Sequence, residues 1–239
     1  MTTHKHKSHL WKLALAFSLL GVLAGCGNDG IETRKEPPKT TAQLSPLEVE
    51  MLQVAAKGDN SRIKELLAKG VDVNMRGNDR NTPIMEASYG GHLDTVKLLL
   101  DHGADLSAKK NDGADAGGLA HGKEVIDLIK SVGILVDAAA KGNLDTLKEL
   151  IDKGTPVNGL DKFGHSALTE ACFGGKTEVV KLLLEKGADP NIKKGDGQTP
   201  LSLAEGQKHA DIVQLLNDAI AKQAKGTTAP AKGTTAPAK

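Results

Sequence analysis

One stretch of this chain returns several times along its length. Thr82-Pro83-Ile84-Met85-Glu86-Ala87 is followed by Gly91-His92, by Leu93-Asp94-Thr95-Val96-Lys97-Leu98-Leu99-Leu100 and by Gly103-Ala104-Asp105. The pattern recurs at Ser166-Ala167-Leu168, with Gly174-Gly175, Glu178 to Leu184 and Gly187-Ala188-Asp189. It recurs again at Thr199-Pro200-Leu201, with Asp211 to Leu216. Two copies lack the Thr-Pro-Leu opening: Ala55-Ala56-Lys57-Gly58 through Gly70, and Ala139-Ala140-Lys141-Gly142 through Gly154. A sixth, Asp112-Gly113 to Lys130, is shorter by about three residues than a repeat of about 33. A unit this small cannot shelter its own apolar side, so neighbouring copies must stack.

Within each copy the signals are helical. Thr82 suits an N-cap with Pro83 at the first helical position, where a missing N–H costs nothing. Gly91 suits a tight turn between two helices, and Val96, Leu99 and Leu100 fall at helical spacing. Gly103 matches a left-handed position after the second helix. A longer period lies above the short one, since residues 55–120 align without a gap on 139–204. This predicts two related three-repeat halves, 45–133 and 134–222. Between them Lys130-Ser131-Val132-Gly133 runs straight into Ile134-Leu135-Val136. A connecting loop is therefore expected to be missing there, with a weaker contact or a bend between the halves. Ser45-Pro46-Leu47-Glu48 reads as a capping box that starts the first helix. A polar-faced helix near Ala210 to Lys222 should close the stack.

The Thr-Pro-Leu openings, paired glycines and Gly-Ala-Asp endings resemble ankyrin repeats. The resemblance spans residues 45–222 and implies an all-α solenoid of about six helix-turn-helix repeats with β-hairpin finger loops. It also implies a protein partner, docked on a concave face made of the finger tips and the exposed side of each first helix. Carried over by position, the candidate contacts are Asn78, Asp79, Asn81 and Tyr89 in the second repeat. In the fifth they are Lys162, Phe163, His165 and Phe173, and in the sixth Asp196, Gln198 and Gln207. Tyr89, Phe163 and Phe173 could equally be packed against the next repeat. The chain departs from the family where His usually follows Thr-Pro-Leu: Met85, Thr169 and Ser202 stand there. The inter-repeat hydrogen bond of that His is not expected. His92, after Gly91, is read as a structural hydrogen-bonding residue.

Composition fits such a stack. Aromatic residues make up only 2% of the chain, and small helices filled by Leu, Val, Ile and Ala need few rings. The net charge of +1 includes Lys5, Lys7 and Lys12 near the start. Without those three the rest is slightly acidic, which argues against a nucleic-acid partner.

The start reads as an address. A basic segment to Lys12 precedes an apolar run from Leu13 to Val22, the length of a signal-peptide core and shorter than a comfortable membrane span. Leu23-Ala24-Gly25-Cys26 resembles the lipobox of bacterial lipoproteins. The resemblance implies lipid transfer to Cys26, cleavage after Gly25 and anchoring of the domain through acyl chains. Gly27, in place of an Asp, favours the outer membrane of a Gram-negative cell. Residues 1–25 are thus expected to be a signal peptide and 26–44 a polar tether with a reach of roughly 25 Å. Residues 223–239, with Lys225-Gly226-Thr227-Thr228-Ala229-Pro230-Ala231 repeated at once, are expected to be a low-complexity tail. Cys172, inside a helical pattern, is read as a buried thiol.

No catalytic constellation is found: there is no G-x-S-x-G and no phosphate-binding loop, and His92, His102, His121, His165 and His209 are spread across the repeats with no pair at metal-ligand spacing with a Cys or carboxylate. No cofactor, metal or small-molecule substrate is expected. The function read from the sequence is a membrane-anchored binding module of the cell envelope, in an immunity or protective role. An envelope spacer and a surface-exposed, host-directed effector are the alternatives.

Overall fold

A computed structural model describes residues 44–226. The chain divides into the units Met1–Ala42 and Gln43–Lys239, and the described residues belong to the second. The signal peptide, Cys26 and nearly all of the tether lie outside them.

Among the described residues eleven helices follow one another: α1 (Pro46–Lys57), α2 (Asn60–Ala68), α3 (Pro83–Tyr89), α4 (Leu93–Asp101), α5 (Ala116–Leu119), α6 (Lys123–Lys141), α7 (Leu144–Asp152), α8 (Ala167–Phe173), α9 (Thr177–Glu185), α10 (Pro200–Gly206) and α11 (Ala210–Gly226). Their starts follow the chemistry of the sequence. Ser45 accepts from the Glu48 backbone N–H while the Glu48 carboxylate accepts from Ser45 N–H at 2.7 Å, with Pro46 at the first position. Thr169 and Ser202, standing where the family has His, instead close capping boxes with Ser166 and Thr199. Met85 can return no such bond, and the Thr82 hydroxyl is buried without a partner among the described residues.

Helix ends are set by glycine. The second helices α2, α4, α7 and α9 are each followed by a left-handed Gly70, Gly103, Gly154 or Gly187, with the next N–H bonded back into the last turn. Aligned on these, the first half of α6 is the second helix of the third repeat: Val125, Leu128 and Ile129 match Val96, Leu99 and Leu100. The residue at the glycine position is then Val132, fully buried. A β-branched residue cannot take the left-handed cap cheaply, so the helix continues. One helix of 19 residues therefore ends the third repeat and begins the fourth. This is why six repeats have eleven helices, and the expected slack junction is instead a continuous rod.

α1 packs on α3, α3 on α5, α6 on α8 and α8 on α10, while α2, α4 and α6, and separately α9 and α11, form a second layer. The buried aliphatic residues fall into two clusters, one from Met51 to Val132 and one from Leu135 to Leu216. They meet inside α6.

Four fingers connect the pairs. Each tip is closed by a backbone hydrogen bond across five residues: Gly77 to Asn81, Lys110 to Ala114, Asp161 to His165 and Lys194 to Gln198, at 2.8–2.9 Å. The expected β-hairpins are not formed. The described residues contain no strand, and the one bridge is isolated, between Asp105 and Leu160. Each finger folds back within too few residues for a ladder. Neighbours are instead tied by one or two backbone bonds: Asn111 N–H to Asp79 O, the pair Leu106 N–H to Leu160 O and Leu160 N–H to Ala104 O, and Gly195 N–H to Gly164 O. With one finger absent, those before α5 and before α8 pair directly. Asn158 accordingly donates both to Asp101 O at 3.1 Å and to Gly187 O at 3.3 Å. The last helix reaches Gly226, past the expected limit at 222, and Gln223 accepts from Asn191 at 2.8 Å.

Candidate functional site

The candidate contacts sit where finger meets first helix, and the structure sorts them. Asn78 and Asp79 are exposed on the first finger, but the Asp79 carbonyl already accepts from Asn111 of the next finger. Asn81 turns inward and donates to Glu86 at 2.6 Å. Tyr89 ends α3 and is 61% exposed, yet the edge of its ring meets His121 at 4.9 Å. His121 Nδ1 also lies 2.6 Å from Tyr89 O. Packing on the next repeat and exposure thus coexist at Tyr89.

The fifth- and sixth-repeat residues come together. Phe163, at a finger tip, is 66% exposed and Phe173, at the end of α8, is 51% exposed. The Asp161 carboxylate accepts from the N–H groups of Phe163 and His165 at 2.9 Å, which fixes the tip. Lys162 Nζ lies 5.0 Å over the Phe163 ring. His165 Nδ1 faces Glu170 at 3.3 Å. Phe173, His165, Gln198 and Gln207 line one hollow of about 320 Å³. Lys162, Phe163 and His165 line a larger one of about 780 Å³ on the other side of Glu170. Asp196 is exposed beside Gln198, whose N–H it accepts at 3.0 Å. Asn78, Asp79, Asn81 and Tyr89 line neither hollow. The sequence reading missed Ile129, Ile134 and Asp137 of α6, which line the larger one. The available signal was Ile134, an apolar residue off the buried stripe of its helix.

The His residues that follow the helix-to-helix turns, His92 and His209, are structural. His92 Nε2 lies 3.0 Å from Ala56 O of the preceding repeat, and its ring covers Gly58, where a Cβ would meet it at 2.9 Å. His209 covers Gly175 in the same way, at 2.6 Å. Cys172 is fully buried, and burial pushes its thiol up to about 12, which suits packing and not nucleophilic chemistry. Among the described residues no group of three His, Cys, Asp or Glu is placed to hold a metal ion, and no helix is long and apolar enough to cross a membrane.

Helix pairs stacked side by side, joined by fingers and carrying exposed rings at a finger tip and at the ends of two first helices, define a helical repeat solenoid that presents a docking face. A family model for ankyrin repeats (3 copies) matches residues 23–120 and 135–226, and the chain belongs to the ankyrin-repeat family. It is 30% identical over 194 residues to the ankyrin repeat protein YahD of Escherichia coli, covering 72% of this chain and 96% of that one. It is 34% identical over 146 residues to an ankyrin repeat-containing protein of Treponema pallidum, covering 59% of this chain and 43% of that one. It is also 34% identical over 180 residues to the potassium channel AKT1 of Arabidopsis thaliana, covering 70% of this chain and 21% of the channel. The chain thus spans less than half of the Treponema protein and about a fifth of the plant channel. The unmatched residues 121–134 fall where α6 replaces a finger. The repeats are a protein-interaction module.

Proposed function

We propose that the protein is a lipid-anchored docking protein of the bacterial envelope, held to the membrane through acyl chains on Cys26 and binding another protein on its finger and first-helix face. The observation that carries the docking half is the exposure of Tyr89, Phe163 and Phe173, in a chain whose buried core is aliphatic. Rings on a preformed surface are the usual anchors of protein interfaces. The anchoring half rests on Leu23-Ala24-Gly25-Cys26 after a signal-like apolar run. Two or three acyl chains, at about 0.8 kcal/mol per buried methylene, hold a domain stably at a membrane. The partner would be masked or stabilised while bound, a protective role.

The test has two arms. Cys26→Ser should move the protein from the membrane to the soluble fraction, and persistence in membranes sinks the anchor. Cross-linking from native membranes should capture a partner that a Tyr89, Phe163 and Phe173 triple alanine variant loses, with its helical circular dichroism unchanged. Capture undiminished in that variant removes this face from the reading.

A further inference from the structure

First helices α3, α8 and α10 have seven residues each, but α5 has four, and two of them are Gly117 and Gly118. Beside this stunted helix the flank of α6 is left bare. The hollow of about 780 Å³ lies there. Its floor is Ile129, Gly133, Ile134 and Ala140 of α6, and Phe163 forms a wall. Ile134 is 52% exposed, although Leu135 and Val136 beside it are buried. Four carboxylates line the hollow, from Asp115, Asp137, Asp161 and Glu170, against the ammonium groups of Lys130 and Lys162. Asp115 and Asp161 accept backbone N–H bonds, which hold them in place. Asp137 is paired only across one exposed helical turn, with Lys141 at 2.7 Å, and such pairs exchange partners at little cost.

We propose that this hollow docks an extended segment of the partner protein that carries a bulky aliphatic or aromatic side chain with Lys or Arg within two residues of it. The apolar chain covers Ile134, Ile129 and Phe163, and the basic group meets Asp137 and Glu170. The inference rests on the docking reading above and adds the chemistry of what is docked. The chain's own residues 227–239 supply Lys but nothing apolar larger than Pro, so they fit only the charged half.

A random heptapeptide display library, selected on the immobilised full-length protein, tests this. Enriched peptides should combine a large apolar residue with a nearby basic one. Gly117→Leu should plug the hollow without removing any contact. A Cβ there meets Asp115 and Ile129 at ordinary distances of 3.5 and 3.8 Å, so the helix accepts it. An enriched peptide should then bind at least about tenfold more weakly by fluorescence anisotropy, and Ile134→Asp should do the same. Asp137→Lys should shift the selection toward acidic peptides. Circular dichroism of each variant checks folding, and Ile134→Asp and Asp137→Lys change exposed positions. Acidic or purely polar enrichment on the wild type, no enrichment at all, or binding untouched by the two plugging changes would each overturn the proposal. Loss of binding on Phe173→Ala with both hollow variants unaffected would overturn it while leaving the general docking reading intact. Removal of residues 227–239 that strengthens peptide binding tenfold would make the tail the occupant. A wild-type dimer that Ile134→Asp dissociates would make it a second copy.

Discussion

Arg80 and Lys208 are the described non-glycine residues with positive φ, at 60° and 63°. Arg80 stands at the fourth residue of its finger tip, where the other three fingers have Gly113, Gly164 and Gly197 at 76–87°. The left-handed region costs a side-chain-bearing residue roughly 1–2 kcal/mol, and glycine returns about 0.5–1 of that as chain entropy. Arg80→Gly should therefore stabilise the protein by about 0.5–1 kcal/mol, raising the melting temperature by about 1–3 °C. Gly164→Ala should do the opposite. It takes on the same strain, and its Cβ would lie 3.2 Å from the Gly195 backbone, which cannot move aside as a flexible chain can. A drop of about 2 kcal/mol or more is expected, and thermal melts of both variants read the signs directly. At this scale much was legible. The turn glycines, the Ser45 capping box and the buried Cys172 follow from short-range patterns. What single residues could not show was whether Tyr89 packs or projects, because its partner, His121, belongs to the shortened repeat.

Among the elements, α6 is the one whose course was hidden. The sequence showed that no finger separates residues 130–133 from 134–136, and the natural expectation was a weak join. The decisive detail was Val132 at a glycine position, visible only once the two second helices are laid over one another. The β-hairpin expectation failed for a related reason: strand ladders need length on both sides of a turn, and each finger spends its few residues on the turn itself. Ile134, Ile129 and Asp137 were missed because their exposure depends on how little of α6 the short α5 covers, a fact of packing and not of spacing. Continuity of α6 gives a sharp expectation. Ile134→Pro should cost about 3 kcal/mol or more in urea unfolding, as proline does inside a helix, and should split the transition into two as the core clusters separate. A loss below about 1 kcal/mol with one transition retained would mean the halves are joined by something other than this helix.

For the molecule as a whole, charge sets the window of stability. Glu48 is held below its usual range by the Ser45 backbone and hydroxyl, Glu50 by the Arg62 guanidinium, Asp127 by Lys123, Glu149 by Lys153 and Asp211 by the Thr177 hydroxyl. A lowered carboxylate binds fewer protons folded than unfolded, so its contribution is present above the unfolded values of 3.8–4.5 and is lost as pH falls through the folded ones. Cys172 works the other way. Its folded value near 12 exceeds 9.0, so stability falls as pH rises between the two. Melting temperature against pH should be flat near neutrality and decline below about pH 4 and above about pH 9, with the alkaline arm starting later in Cys172→Ala, where the raised Lys123 and Lys181 remain to lose their protons. The part of the acid arm that comes from Glu50, Asp127 and Glu149 should shrink in high salt, because their partners Arg62, Lys123 and Lys153 are charged and reach solvent.

The turn glycines also set the direction in which this stack can grow. Gly58, Gly91, Gly142 and Gly175 each receive a residue of the following repeat, from His92, His121, Lys176 and His209 in turn. The matching place in the last repeat is Lys208, at φ 63°, where a Cβ stands at the spot that the other repeats leave open for the incoming residue. Lys208 is thus a terminator: a seventh repeat added by the same rule would first have to turn that lysine back into glycine.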